Sequence, residues 1–166
     1  MLATSLFNRA KPRALSLDAL ESRILLTASL NVFFQIDAPT PVSSLSVGED
    51  FTLKVFVQDA RSNPTGVNQA YFDLAYNSSI AEVTGPVVNG ADFDVTATGG
   101  DSTPGQITDA GGLSTTFSPP SPLDEQQLLF SVPMKAVVVG QFNLTPSLST
   151  NPSDPVLFFS SSTGVP

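Results

Sequence analysis

The side chains here that could do chemistry are carboxylates and a few aromatics, because the 166 residues include no His and no Cys. That absence excludes Ser-His-Asp and Cys-His nucleophile arrangements, His- or Cys-ligated zinc and disulfides. It also removes the commonest general base near neutral pH. Catalysis would have to run on a carboxylate pair, as in glycoside hydrolases. Glu49, Asp50, Asp92, Asp94, Asp124 and Glu125 are the residues available for it. Most stand in Gly- and Pro-rich turns, where Asp is favoured for its local hydrogen bonds to the backbone, so no catalytic residue is assigned.

Asp92 and Asp94, with Asp101 and Asp109 further along, could offer the oxygen ligands that calcium takes. The spacing of a D-x-D-x-D-G loop is missing, so a solvated acidic loop is the simpler reading and calcium is the one cofactor to be tested. Phe occurs twelve times, Tyr twice and Trp never, a composition that fills cores more readily than it builds a sugar-stacking strip. Tyr71 and Phe33 are the outward aromatics on clear strand patterns, with Phe56 a third, and Asp73 shares the outward side with Tyr71. These three, Tyr71, Asp73 and Phe33, are the expected ligand-binding residues. The plainer alternative is that both faces of those strands are covered. Asn77-Ser78-Ser79 matches a glycosylation sequon but reads best as a turn.

The elements that must position these side chains are strands. Leu30, Val32, Phe34 and Ile36 alternate with more polar neighbours, as do Phe51, Leu53, Val55 and Val57, and then Ala70, Phe72, Leu74 and Tyr76. Period two marks strands with one face buried. A short strand follows over 80–83. The Gly/Ser/Thr/Asp/Pro-rich middle holds short candidates at 93–98, 106–110 and 113–117. A longer strand runs from Gln127 to Val139, with Pro133 signalling a bulge or an edge. Residues 141–145 are its expected hairpin partner, and 156–159 form one more strand. Nine or ten short strands with 11 Gly and 14 Pro predict an all-β antiparallel sandwich of two sheets, each burying its apolar face on the other.

Charge divides the chain. The formal net charge is −8, yet Arg9, Lys11, Arg13 and Arg23 all precede residue 30, after which only Lys54, Arg61 and Lys135 are basic. An acidic body lacks the electrostatic footprint of a phosphate-backbone binder, so nucleic acid is not an expected partner. No apolar run reaches the roughly 20 residues that cross a bilayer as a helix. Residues 14–28 (ALSLDALESRILLTA) place Leu17, Leu20 and Ile24 at helical spacing, predicting a short helix or a disordered targeting segment. A basic start and Leu-Thr-Ala resemble a secretory signal, although Asp18, Glu21 and Arg23 interrupt the apolar stretch.

Leu20-Glu21-Ser22-Arg23-Ile24-Leu25-Leu26 resembles the L-E-x-R-x-L-L motif near the N-termini of planctomycete secreted and surface proteins, with Ser22 where that family usually has Pro. The resemblance implies an export-associated segment over residues 1–28 and an extracellular or cell-surface location. Val47-Gly48-Glu49-Asp50-Phe51-Thr52-Leu53-Lys54-Val55 resembles the opening strand of cohesin domains. Gly66-Val67, the run from Phe72 to Ser79, and Leu128 to Ala136 before Gly140 follow in cohesin-like order. This second resemblance spans roughly residues 30–160. It implies a nine-stranded jelly-roll sandwich over residues 29–166, related to bacterial carbohydrate-binding modules, with room for a closing strand beyond Pro166. The implied function is a non-catalytic interaction module for a dockerin-like protein. A carbohydrate-binding module is the alternative, and a carboxylate-based glycoside hydrolase the third reading.

Overall fold

A computed structural model describes residues 24–27, 29–39, 45–96, 102–115, 123–150 and 156–159. Among these described residues twelve strand segments run β1 (Ile24–Thr27), β2 (Leu30–Asp37), β3 (Asp50–Asp59), β4 (Val67–Tyr76), β5 (Ala81–Val83), β6 (Val88–Asn89), β7 (Val95–Thr96), β8 (Ser102–Thr103), β9 (Gln106–Leu113), β10 (Gln127–Ala136), β11 (Leu144–Leu148) and β12 (Leu157–Phe158). All the pairings are antiparallel, in two sheets. The first has the order β1-β2-β3-β10-β5, with β6 also on β10; the second has β11-β4-β9-β7, with β12 on β4 and β8 on β9. The chain changes sheet between β3 and β4, β4 and β5, β6 and β7, β9 and β10, and β10 and β11, the crossing habit of a jelly roll. The expected all-β antiparallel sandwich is the fold observed.

Alternation decides which side of each strand faces the other sheet. Leu53, Val55 and Val57 of β3 are fully buried while Thr52, Lys54 and Phe56 between them are only partly so. Across the interface, β4 contributes Ala70, Phe72 and Leu74, and β9 contributes Ile107 and Ala110. Phe72, Phe93 and Phe130 are among the largest fully buried side chains, each stabilising the fold by about 2–3 kcal/mol through area removed from water.

Four local expectations are corrected. Ile24–Thr27, placed in a helix by its leucine spacing, forms an edge strand paired with β2. Extending a sheet satisfies its backbone groups where a short isolated helix is marginal; the rest of the helical reading and the secretory motif's start lie outside the described residues. The stretches 106–110 and 113–117 are not two strands, since 106–113 is one continuous strand. Residues 141–145 are not a hairpin partner of β10: the chain crosses instead to the second sheet, where β11 pairs with β4. Phe142 makes that corner, 2% exposed, with its ring edge-on to Phe51 at 5.9 Å and tilted against Tyr76 at 6.3 Å.

Pro133 is the fourth. It stands in a central strand opposite Thr52, and the bulge falls earlier, between Leu128 and Phe130. On the other side of β10, β5 stops at Val83 opposite Met134 and β6 begins at Val88 opposite Ser131. Pro133 therefore faces a break in its neighbour, where its missing N–H removes no ladder bond. Its carbonyl still accepts from Thr84 N at 2.9 Å.

The β3–β4 loop is built around one buried carboxylate. Asp59, whose side chain is 0% exposed, accepts from Arg61 Nε (2.8 Å), Arg61 Nη2 (2.6 Å), and the backbone amides of Arg61 (3.1 Å), Thr65 (2.7 Å) and Gly66 (3.1 Å). Burial alone would raise its pKa. The Arg61 guanidinium and the converging amides outweigh that and hold it below the usual Asp value, while Arg61 is raised. The Arg61 guanidinium lies 3.9 Å over the Phe158 ring, and Thr65 donates to Phe159 O. The same loop thus anchors β12.

Candidate functional site

The sequence places Tyr71 and Asp73 two residues apart on β4, and period two puts both on the outer face of the second sheet. The neighbouring strand then does something the sequence reading missed. Phe72 pairs with Ala110 and Leu74 with Ile107, so Thr108 and Asp109 together oppose Asp73. This is a β-bulge, and its second residue, Asp109, takes φ 50°, a conformation sparsely populated by residues other than Gly and tolerated best by Asn and Asp.

Asp73 holds the bulge in place. Its Oδ1 accepts the backbone amide of Asp109 at 2.8 Å, while the Asp109 carboxylate accepts the Ser149 hydroxyl. Two carboxylates from adjacent strands are thereby brought to one bulge on the outer face of the sheet. Their surroundings are hydroxyl-rich: Ser147 pairs with Asp73 and Thr145 with Ala75 across β11. The described cations all lie elsewhere. Lys54 and Lys135 are on the outer face of the first sheet, and Arg61 is bound to Asp59.

Tyr71 belongs to this face but does not line it as an accessible ring. It is 5% exposed, pairs with Gly111, and packs so closely that a Cβ on Gly111 would fall 2.8 Å from Tyr71 Cδ1 and 2.0 Å from Ala70 O. The expectation of an outward, ligand-stacking tyrosine is corrected: the ring fills the space that Gly111 leaves over the sheet. Phe33 lies on the opposite sheet, half-buried and in register with Phe56. The structure therefore unites Tyr71 with Asp73 and separates both from Phe33.

The calcium reading fares differently. Asp94 accepts the Thr115 amide at 2.7 Å and the Thr115 hydroxyl, bonds that hold its carboxyl below the usual Asp value. Its oxygens thus pin the loop after β6 to the end of β9. Asp92 is exposed, and among the described residues no three His, Cys, Asp or Glu side chains converge as a metal site would require. Of the other carboxylates, Glu49 accepts the Ser46 amide at 2.8 Å, Asp50 faces Lys135 at 3.6 Å, and Asp124 and Glu125 are exposed.

No family model matches the chain, and no curated protein matches it. Among solved structures it is similar to the crystal structure of the complex of CaDoc0917 with CaCohA2, a cohesin–dockerin pair, at 19% identity and a TM-score of 0.43, covering 65% of this chain and 75% of that one. A likeness at that level carries no argument about function, which has to come from the face itself.

Proposed function

We propose that this chain is a non-catalytic interaction module that docks a dockerin-like protein module on the outer face of its second sheet, outside the cell or at its surface. The observation that carries this reading is the Asp73–Asp109 bulge. Strain at one residue is retained where it aims a side chain, and here the side chains are two carboxylates on a hydroxyl-rich sheet face. An outer sheet face with a few fixed polar groups suits a protein surface, whereas a small molecule prefers a concavity. The cohesin-like order of sequence elements supports the same reading.

The charge of the face defines its partner. Two carboxylates with no described cation beside them favour a docking segment that presents Lys or Arg together with Ser or Thr, giving charge-assisted hydrogen bonds. Titration against purified dockerin modules from the same genome tests this. Binding should weaken with added salt and fall by about tenfold or more in Asp73→Ala, the loss of about 1.4 kcal/mol or more expected when a charge-assisted bond is removed. Silence across all dockerin modules would reject it. Export is tested separately, by finding whether the full chain reaches the culture medium or cell surface.

A further inference from the structure

The outer face of the first sheet carries a second feature, independent of the docking face. At one end of this sheet lies an open groove of about 660 Å³ whose lining includes Asp37, Asp50, Thr52, Thr84, Pro133 and Lys135. Register explains why these residues meet: Asp37 opposes Thr52, Thr52 opposes Pro133, and Asp50 opposes Lys135. Gly85 lets the chain lie against Pro133, where a Cβ would come within 2.8 Å of the ring.

The polar groups are prepared for hydrogen bonding and only partly used. Lys54 donates to one oxygen of Asp37 at 2.7 Å, and Lys135 stands 3.6 Å from Asp50, too far for a hydrogen bond. The Asp50 and Lys135 side chains are 75% and 39% exposed. Lys54, paired with Asp37 beside the groove, and Lys135 offset Asp37 and Asp50, while the exposed Glu82, opposite Lys135 on β5, leaves this end of the face with one net negative charge. Donors and acceptors therefore converge on a face that disfavours anions.

The same face continues along the strands to an apolar step. Four residues from Asp37 on β2, about 13 Å at strand rise, Phe33 opposes Phe56, and Phe56 opposes Leu128. All three are half-buried, so part of each remains open. Gln35 and Lys54 lie between the two ends. An alternation of carboxylate, amide and ammonium groups with a partly exposed aromatic pair matches an extended ligand with hydroxyls at its edges and C–H surfaces on its faces.

We propose that this face binds a neutral, hydroxyl-rich glycan, with the groove hydrogen-bonding its hydroxyls and Phe33 with Phe56 covering a sugar ring further along. The site is distinct from the docking face, lying on the opposite sheet. Native gel electrophoresis of the full chain through hydroxyethyl cellulose, glycol chitin and dextran sulfate tests it. At least one of the first two should retard the protein. The apparent Kd should rise about tenfold or more in Asp50→Ala/Lys135→Ala, as expected for lost hydrogen bonds to charged groups, and also rise in Phe33→Ala. Asp73→Ala should leave retardation unchanged. Absence of retardation by both neutral polymers, retardation by dextran sulfate alone, or retardation indifferent to the groove and Phe33 variants would overturn the proposal.

Discussion

Asp109 combines two demands on one residue, a left-handed backbone and a carboxylate on the outer face, and substitutions can separate them. Asp109→Gly removes the carboxylate while relieving the φ 50° conformation, so stability should change little as docking is lost. Asp109→Ala should lose docking and also cost about 1 kcal/mol, since Ala adopts this region poorly. Urea unfolding followed by titration distinguishes the two. Asp59 makes a different kind of demand. Asp59→Ala leaves the amides of Thr65 and Gly66 and the Arg61 guanidinium without their acceptor, and about 2–4 kcal/mol of stability should be lost. Because its folded pKa is depressed, its stabilisation is fully present above the unfolded value near 4 and is lost as pH falls through the folded pKa. An acid titration of stability should therefore be shallower in Asp59→Asn than in the wild type; equal slopes would contradict this assignment.

Among the elements, β3 and the core half of β4 were legible because alternation reports directly which side of a strand is buried. Phe51, Leu53, Val55 and Val57 are all buried as period two requires. Alternation says nothing about which strand lies next door. The neighbour of β11 was therefore misjudged, and only the crossing at Phe142 makes β4 its partner. The bulge was missed for a related reason: φ at Asp109 depends on a two-to-one register that exists only once β4 and β9 pair. One signal was available, because two glycines, Gly111 and Gly112, interrupt a strand, which often marks a bulge or a close backbone approach. Gly111→Ala tests that closeness. With its Cβ 2.0 Å from Ala70 O, the variant should lose about 2–4 kcal/mol, within the range for overpacking plus local backbone strain, and a neutral effect on the urea midpoint would disprove the contact.

For the whole molecule, the sandwich divides its surface by chemistry. The second sheet presents carboxylates and hydroxyls; the first presents charges of both signs and half-buried aromatics. Composition anticipated the class of fold, because many prolines and glycines with alternating apolar runs have few other solutions. Alternation anticipated the placement of the expected ligand-binding residues only in part: Asp73 is where the outward pattern put it, Tyr71 faces outward but is covered, and Phe33 belongs to the other sheet. Burial of a side chain on the nominally outer face depends on what its cross-strand partner leaves empty, and Gly111 is not paired with Tyr71 until the sheet forms. Asp73 and Lys135, on opposite sheets with no shared partners, should therefore act independently.

Calorimetric titration with dockerin modules from the same genome measures whether the outer face of the second sheet docks such a partner. Docking through Asp73 and Asp109 gives saturable one-to-one binding that Asp73→Ala and Asp109→Gly each weaken by about tenfold or more, with Lys135→Ala unchanged. Binding that ignored both second-sheet carboxylates, or no heat with any dockerin module, would contradict it.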